Sequence, residues 1–250
     1  MLRTGRTSPL DEAGAVSLQL LLEPVELSVC GRYTIGTVER LRERFALPEE
    51  DLQSDPRFNV SPSQQVPVII RQESNHLTFM EWGLLPSWAK DPQASHRPVN
   101  ARIEGILTKP TFRGPVRKHR CLIPADGFYE WKKEGKAKTP YYIHRRDSAL
   151  FAFAGIYDVW RGTGGEIVES CAILTTRPNT LLEPIHNRMP VILEESQEGL
   201  WLDPITPDTD RLLELLQRPY PADLLEAFPV STRVNSPRID RPELIQRTST

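Results

Sequence analysis

The chain has 250 residues, of which 39% are hydrophobic and 26% charged, with a formal net charge of −2. It can bury a full core and is not uniformly basic, which excludes wholesale disorder and general polycation-type nucleic-acid binding, though not a local basic patch. Its 23 prolines are nearly double the usual share of about 5%, and a proline-rich chain of this kind is no helical bundle.

Residues 1–29 are expected to form a disordered leader. Its longest apolar run, 13–22, is broken by Ser17 and Gln19 and is too short to cross a membrane. Asp11 and Glu12 precede that run and no small-x-small site follows, which argues against a signal peptide. A helix is expected over 37–47, with Val38, Leu41 and Phe45 on one face and Pro48 as its stop. Strands are expected over 66–71, 77–82, 120–123, 127–131, 140–144, 150–159 and 170–175, separated by Pro, Gly and Asn. Gly135 and the run 162–165 mark hairpin turns. Helices follow over 195–202 and 209–217, the second with an apolar stripe of Leu212, Leu213 and Leu216. Strands first and helices at the margins predict an α+β fold: one domain, 30–240, with a curved, largely antiparallel β-structure, peripheral helices and a tail over 241–250.

The three cysteines, Cys30, Cys121 and Cys171, are odd in number and widely spaced. No CxxC exists, so neither a disulfide framework nor structural zinc is expected, and a reducing, cytoplasmic setting fits. His119 and Cys121 stand alone as close ligand types, and no phosphate-binding glycine motif or GxSxG occurs, so no metal or cofactor is expected. Charge is uneven. Residues 100–146 hold 12 Lys or Arg against 4 Asp or Glu, while 183–214 hold 8 acids against 2 bases. Phe112, Phe128, Tyr129, Trp131, Tyr141 and Tyr142 are interleaved with the basic block. Such a block suits either a solvated face or a groove for single-stranded nucleic acid, and the aromatics suit either core or stacking platforms.

Four places could carry chemistry. Cys30 is followed by Gly31 and Arg32, and the arginine could lower the thiol pKa, although a small buried residue reads the same way. Glu130 is flanked by Tyr129 and Trp131; if it points inward, desolvation suits it to proton transfer, and if outward it is an ordinary strand residue. His186 lies between Pro184 and Pro190 in a confined loop, as a functional or a structural histidine. Asn100 and Arg102 would share one face of a strand, with Arg102 alternatively paired to Glu104.

Seven segments carry a resemblance: CGRY from Cys30, RFNVSPSQ from Arg57, WGLLPSW from Trp82, VNARIE from Val99, CLIPADGFYEW from Cys121, PIHNRMP from Pro184 and VSTRVNSP from Val230. In this order they resemble the SRAP family, the SOS response-associated peptidases or abasic-site processing proteins. The resemblance implies a single α+β domain with a basic cleft that binds single-stranded DNA and covalently captures abasic sites. It implies that Cys30 is the nucleophile as an N-terminal residue, that Glu130 transfers protons, that His186 assists sugar opening and the imine steps, and that Asn100 positions the sugar. Arg32, Trp88, Arg102, Arg113 and Arg188 are the implied DNA contacts. A monomeric bacterial protein acting on abasic DNA near the nucleoid, with no membrane association, is the corresponding expectation.

The sequence departs from the family at one point: Cys30 is not the second residue, and Val29 and 28 further residues precede it. While they remain, the Cys30 nitrogen is an amide and cannot form a thiazolidine. Either the leader is removed or translation begins at Val29, whose codon can be a bacterial GUG start. Two other functions fit the same residues. One is a cysteine peptidase or autoprotease built on Cys30, His186 and Glu130. The other is a single-stranded DNA-binding module without covalent chemistry.

Overall fold

The computed structural model describes residues 30–36, 39–48, 55–93, 95–205 and 208–248. The expected leader, together with Thr37 and Val38 of the expected first helix, lies outside the described residues. The described chain begins with β1 (Arg32–Ile35), α1 (Glu39–Arg44), β2 (Arg57–Val60), β3 (Gln65–Arg71), β4 (Asn75–Trp82) and the short β5 (Asn100–Arg102). Two single-turn helices, α2 (Pro110–Arg113) and α3 (Pro115–Lys118), lead into β6 (Arg120–Ala125), β7 (Gly127–Glu134), β8 (Ala137–Arg145), β9 (Phe151–Arg161) and β10 (Ile167–Thr176). Then come β11 (Met189–Pro190), β12 (Ile192–Leu193), α4 (Glu195–Leu202), α5 (Thr209–Leu216) and β13 (Leu225–Pro229).

The result is a single α+β domain with helices at the margins. One sheet runs β13-β8-β7-β1-β2, antiparallel throughout. The other runs β11-β10-β4-β3-β6-β9-β12, and β9 pairs back onto β10. The strands β10, β4, β3, β6 and β9 therefore close on themselves, which removes two exposed edges. Among the described residues, only the pairings of β10 with β4 and β5 are parallel. Residues 151–156 of β9 and 170–176 of β10 are buried without interruption, so each carries an unbroken apolar run, 151–156 and 171–174, rather than alternation.

Proline is more at home in these strands than its chemistry suggests. Pro67 lies within β3, and Pro124 within β6. The β3–β6 ladder registers only Ile69 with Leu122, so β6 behaves as an edge beyond that pair and a missing N–H costs little. Gly127 opens β7 where a Cβ would collide with the Tyr142 hydroxyl, so only glycine allows this approach. Gly135 has φ +63° at the β7–β8 turn, as a tight hairpin requires.

β7 has two different faces. Alternation sends Phe128 and Glu130 to one side and Tyr129 and Trp131 to the other. Phe128 belongs to the main core, whereas Tyr129 and Trp131 pack with Tyr142, Phe228, Val230, Val234 and Leu244 in a second one. The C-terminal segment thus covers the outer face of the five-stranded sheet. It continues beyond residue 240: Pro242–Ile245 form a 3-10 turn, Leu244 is buried, and Val230 bridges Arg247. The segment expected as a tail is packed on the sheet as far as Thr248, whose N–H donates to the Pro229 carbonyl at 3.1 Å.

Candidate active site

β1 and β7 run antiparallel with Arg32 opposite Tyr129 and Thr34 opposite Gly127. Continuing that register backwards brings the residues just before β1 alongside Glu130. There the backbone N–H of Cys30 donates to Oε1 of Glu130 at 2.5 Å. Cys30 is fully buried and takes φ +48°, a left-handed conformation uncommon for a residue with a Cβ. Burial, with a further contribution from Glu130, pushes its thiol well above the usual range. The sequence-based alternative of a lowered thiol pKa is therefore corrected: Arg32 bonds elsewhere and desolvation dominates.

Glu130 is 2% exposed. Desolvation pushes its carboxyl up to about 8, opposed by hydrogen bonds from the backbone of Cys30 and Trp131. It is mostly protonated at neutral pH, yet close enough to that pH to exchange a proton in either direction. The solvent-facing reading of Glu130 does not hold.

A second group forms around β10. Asn100 on β5 pairs with Ile173, and Arg102 with Thr175. Arg188 donates to both carboxylate oxygens of Glu104, at 2.5 and 2.8 Å, and to the Thr175 carbonyl at 2.6 Å. Glu104, anticipated as the partner of Arg102, is thus gripped by Arg188. Burial alone would raise the Glu104 pKa, but these bonds hold it below its usual value. Arg102 is left exposed.

His186 sits in the loop that Asn179 shapes. The Asn179 side chain accepts from the N–H groups of Leu181 and Leu182 and donates to the Tyr220 carbonyl at 2.8 Å. Nδ1 of His186 lies 3.2 Å from the Arg188 N–H and 3.3 Å from the Arg188 carbonyl, so it can accept from the one or, protonated, donate to the other. Burial lowers the His186 pKa, opposed by the hydrogen bond to the Arg188 backbone, and the charges of Lys133 and Arg188 lower it further, which favours the neutral ring. Lys133 lies three residues beyond Glu130 on β7.

The expected DNA contacts divide in two. Arg32 is turned inward, with Nη1 donating to Asn59 Oδ1 at 2.9 Å and to the Val234 carbonyl at 2.8 Å. Arg188 is held as described. Trp88, by contrast, is 63% exposed. It lines an open pocket of about 470 Å³ together with Thr111, Arg113 and Asp158. Asp158 accepts the Ser87 N–H at 2.8 Å, and Trp160 Nε1 donates to the Ala89 carbonyl at 2.7 Å, so β9 holds the turn that presents Trp88.

The basic block is also mixed. Arg120 is buried and donates to the carbonyls of Trp201, Val116 and Arg117, while Arg145 pairs with Asp147. Phe112, Phe128, Tyr129, Trp131 and Tyr142 are core residues. Strand alternation and core packing explain these aromatics, which do not form stacking platforms. Among the described residues no group of three or more His, Cys, Asp or Glu side chains could hold a metal ion, and no helix is long and apolar enough to cross a membrane. Asn59, Asp126, Asp158 and Asn179 went unnoticed in the sequence. Asp126 and Asn179 read as ordinary turn-forming residues and Asn59 and Asp158 as polar residues within strands, and each becomes specific only when its partners are known.

The sequence model of the family described as "SOS response associated peptidase (SRAP)" matches residues 29–237. The chain is 46% identical over 225 residues to "Abasic site processing protein YoqW" of Bacillus subtilis (strain 168), covering 87% of this chain and 99% of that protein. It is 34% identical to "Abasic site processing protein HMCES" of Gallus gallus, covering 76% of this chain and 66% of that protein. A crystal structure of a Bacteroides thetaiotaomicron protein superposes with a TM-score of 0.78 at 28% identity, covering 88% of this chain and all of that one. The chain belongs to the SRAP family.

Proposed function

We propose that this protein processes abasic sites, capturing them in single-stranded DNA through Cys30 once that residue is the N-terminus. The observation that carries the reading is the 2.5 Å bond between the Cys30 nitrogen and Glu130. The nitrogen that would become the attacking amine already lies against a carboxyl able to exchange protons near neutral pH. Family membership and the relatives' names support the substrate class. We include the domain boundary at Cys30, the cytoplasmic setting and the monomeric state in the same reading.

An abasic deoxyribose equilibrates with an open-chain aldehyde. The α-amine of an N-terminal cysteine has a reference pKa of about 7.7–8.0, so a usable fraction is neutral at pH 7. Its nitrogen attacks the aldehyde carbon, giving a carbinolamine. Glu130, protonated, delivers a proton to the departing hydroxyl, and water leaves with formation of the imine. The Cys30 sulfur then adds to the imine carbon and its proton passes to the nitrogen, closing a thiazolidine. One water is lost and no electrons are exchanged with an outside reagent. Neutral His186 can accept or donate through its ring during sugar opening, and Asn100 supplies an amide for orienting the sugar. Arg102 and Arg113 would meet phosphates, and Trp88 a base, in a basic cleft.

The test is a denaturing gel of Cys30-first protein mixed with an abasic oligonucleotide. A shifted band that survives denaturant is expected from the parent and absent from Cys30→Ala. Cys30→Ser should lose the stable product, because oxygen closes a more labile ring. A complex that always dissociates in denaturant would instead fit a non-covalent binding module.

A further inference from the structure

Capture requires the Cys30 nitrogen to stay at Glu130, yet β1 has only four residues and Cys30 precedes it. The β1–β7 ladder alone gives this end little support. A second hold lies on the far side of the strand. Asn59 on β2 is 1% exposed. Its Oδ1 accepts from Arg32 Nη1 at 2.9 Å, and its Nδ2 faces the carbonyls of Val234, Ser236 and Ile239 at 3.2, 2.9 and 2.7 Å. The partners fix the orientation of the carboxamide, since only oxygen can meet a guanidinium and only NH₂ can meet carbonyls. The same Arg32 nitrogen also reaches the Val234 carbonyl. Trp131 Nε1 donates to Asn235 Oδ1, and the Tyr129 hydroxyl to the Phe58 carbonyl, both at 2.8 Å. One buried amide therefore joins β1, β2 and the C-terminal segment, and two side chains of β7 reach the same structure.

We propose that Asn59 is a positioning residue for the Cys30–Glu130 pair, acting through Arg32 to hold the start of β1 against β7. In this role Arg32 serves the geometry of the nucleophile more than the binding of phosphate. The functional meaning rests on the proposed capture reaction, but the clamp itself can be tested without DNA.

The experiment is backbone hydrogen exchange on the intact 250-residue chain. In the parent, the Cys30 amide is protected by its bond to Glu130. Asn59→Ala is expected to speed exchange at Cys30 by about tenfold or more, while amides of β9 and β10 keep parental rates. Arg32→Gln removes the guanidinium and leaves Asn59 on the C-terminal segment; it is expected to have the same local effect. In Cys30-first protein Asn59→Ala should slow capture at saturating DNA with the dissociation constant for intact single strands unchanged. If Asn59→Ala loses protection everywhere, Arg32→Gln decides. Parental exchange at Cys30 in Arg32→Gln, or acceleration no greater there than across β9 and β10, overturns the proposal. A parent that never captures abasic DNA would sink the proposed function and leave the exchange result standing.

Discussion

The backbone nitrogen of Cys30 and the carboxyl of Glu130 are hydrogen-bonded at 2.5 Å across one hundred residues of sequence. β7 alone does not create this contact. It needs the antiparallel register of β1 on β7 and the inward face of β7 that Glu130 shares with Phe128. The bond joins the nitrogen that the proposed function makes the attacking amine to a carboxyl whose pKa burial pushes up to about 8. Its consequences can be measured one residue at a time.

Glu130→Gln keeps the shape and removes the titratable proton. Capture by Cys30-first protein is expected to slow by about 10²–10⁴-fold, the usual range for losing a general acid–base group. Affinity for intact single-stranded DNA should stay at the parent value. Single-turnover rates checked against equilibrium binding separate the two. Capture at the parental rate would make Glu130 structural.

The same carboxyl gives a pH signature in stability. Between its unfolded value near 4.5 and its folded value of about 8, Glu130 holds a proton when folded and none when unfolded. Folded protein therefore binds more protons in this window, and Glu130's contribution falls as pH rises, by at most about 1.4 kcal/mol per pH unit. Glu130→Gln abolishes this loss. The melting temperature of the variant relative to the parent should rise from pH 5 to pH 8 and level off above. A difference independent of pH would contradict the raised pKa.

Arg102 and Arg188 should behave oppositely although both are motif arginines. Arg102 is exposed, so Arg102→Ala should weaken single-strand binding for all sequences alike and reduce the salt slope by about 0.7. Arg188 is committed to Glu104 and Thr175. Arg188→Ala should destabilise the fold by about 1–2 kcal/mol, a figure kept small by the exposure of Glu104. Denaturant titration beside salt-dependent binding distinguishes them.

Trp88→Ala should cost single-strand affinity by about 1–3 kcal/mol if a base stacks there. Because the ring is mostly exposed, thermal stability should barely change. Loss of stability without loss of binding would place Trp88 in the fold rather than the interface.

Much of this was legible in the sequence. The expected strands from 66 to 175 all appear because each buries enough alternating or continuous apolar sequence to declare itself, and α4 and α5 sit close to the expected limits. β11 and β12 have two residues each, and β5 three, so they exist only through neighbours on β9 and β10 that local sequence cannot reveal. The return of β9 onto β10, which closes the second sheet, is likewise a long-range event. Cys30 and Glu130 stood out from their motifs, but their hydrogen bond depends on register. The inward turn of Arg32 depends on Asn59 and Val234, 27 and 202 residues away. A basic residue beside a nucleophile looks the same in sequence whether it meets a phosphate or a carbonyl.

The most direct measurement is the intact mass of the product formed with an abasic oligonucleotide, comparing Cys30-first protein with the verified, unprocessed 250-residue chain. Aminothiol capture predicts a species from the Cys30-first protein equal to protein plus oligonucleotide less one water, and none from the longer chain, whose Cys30 nitrogen is an amide. The same dehydrated, stable adduct from the unprocessed chain would contradict the account.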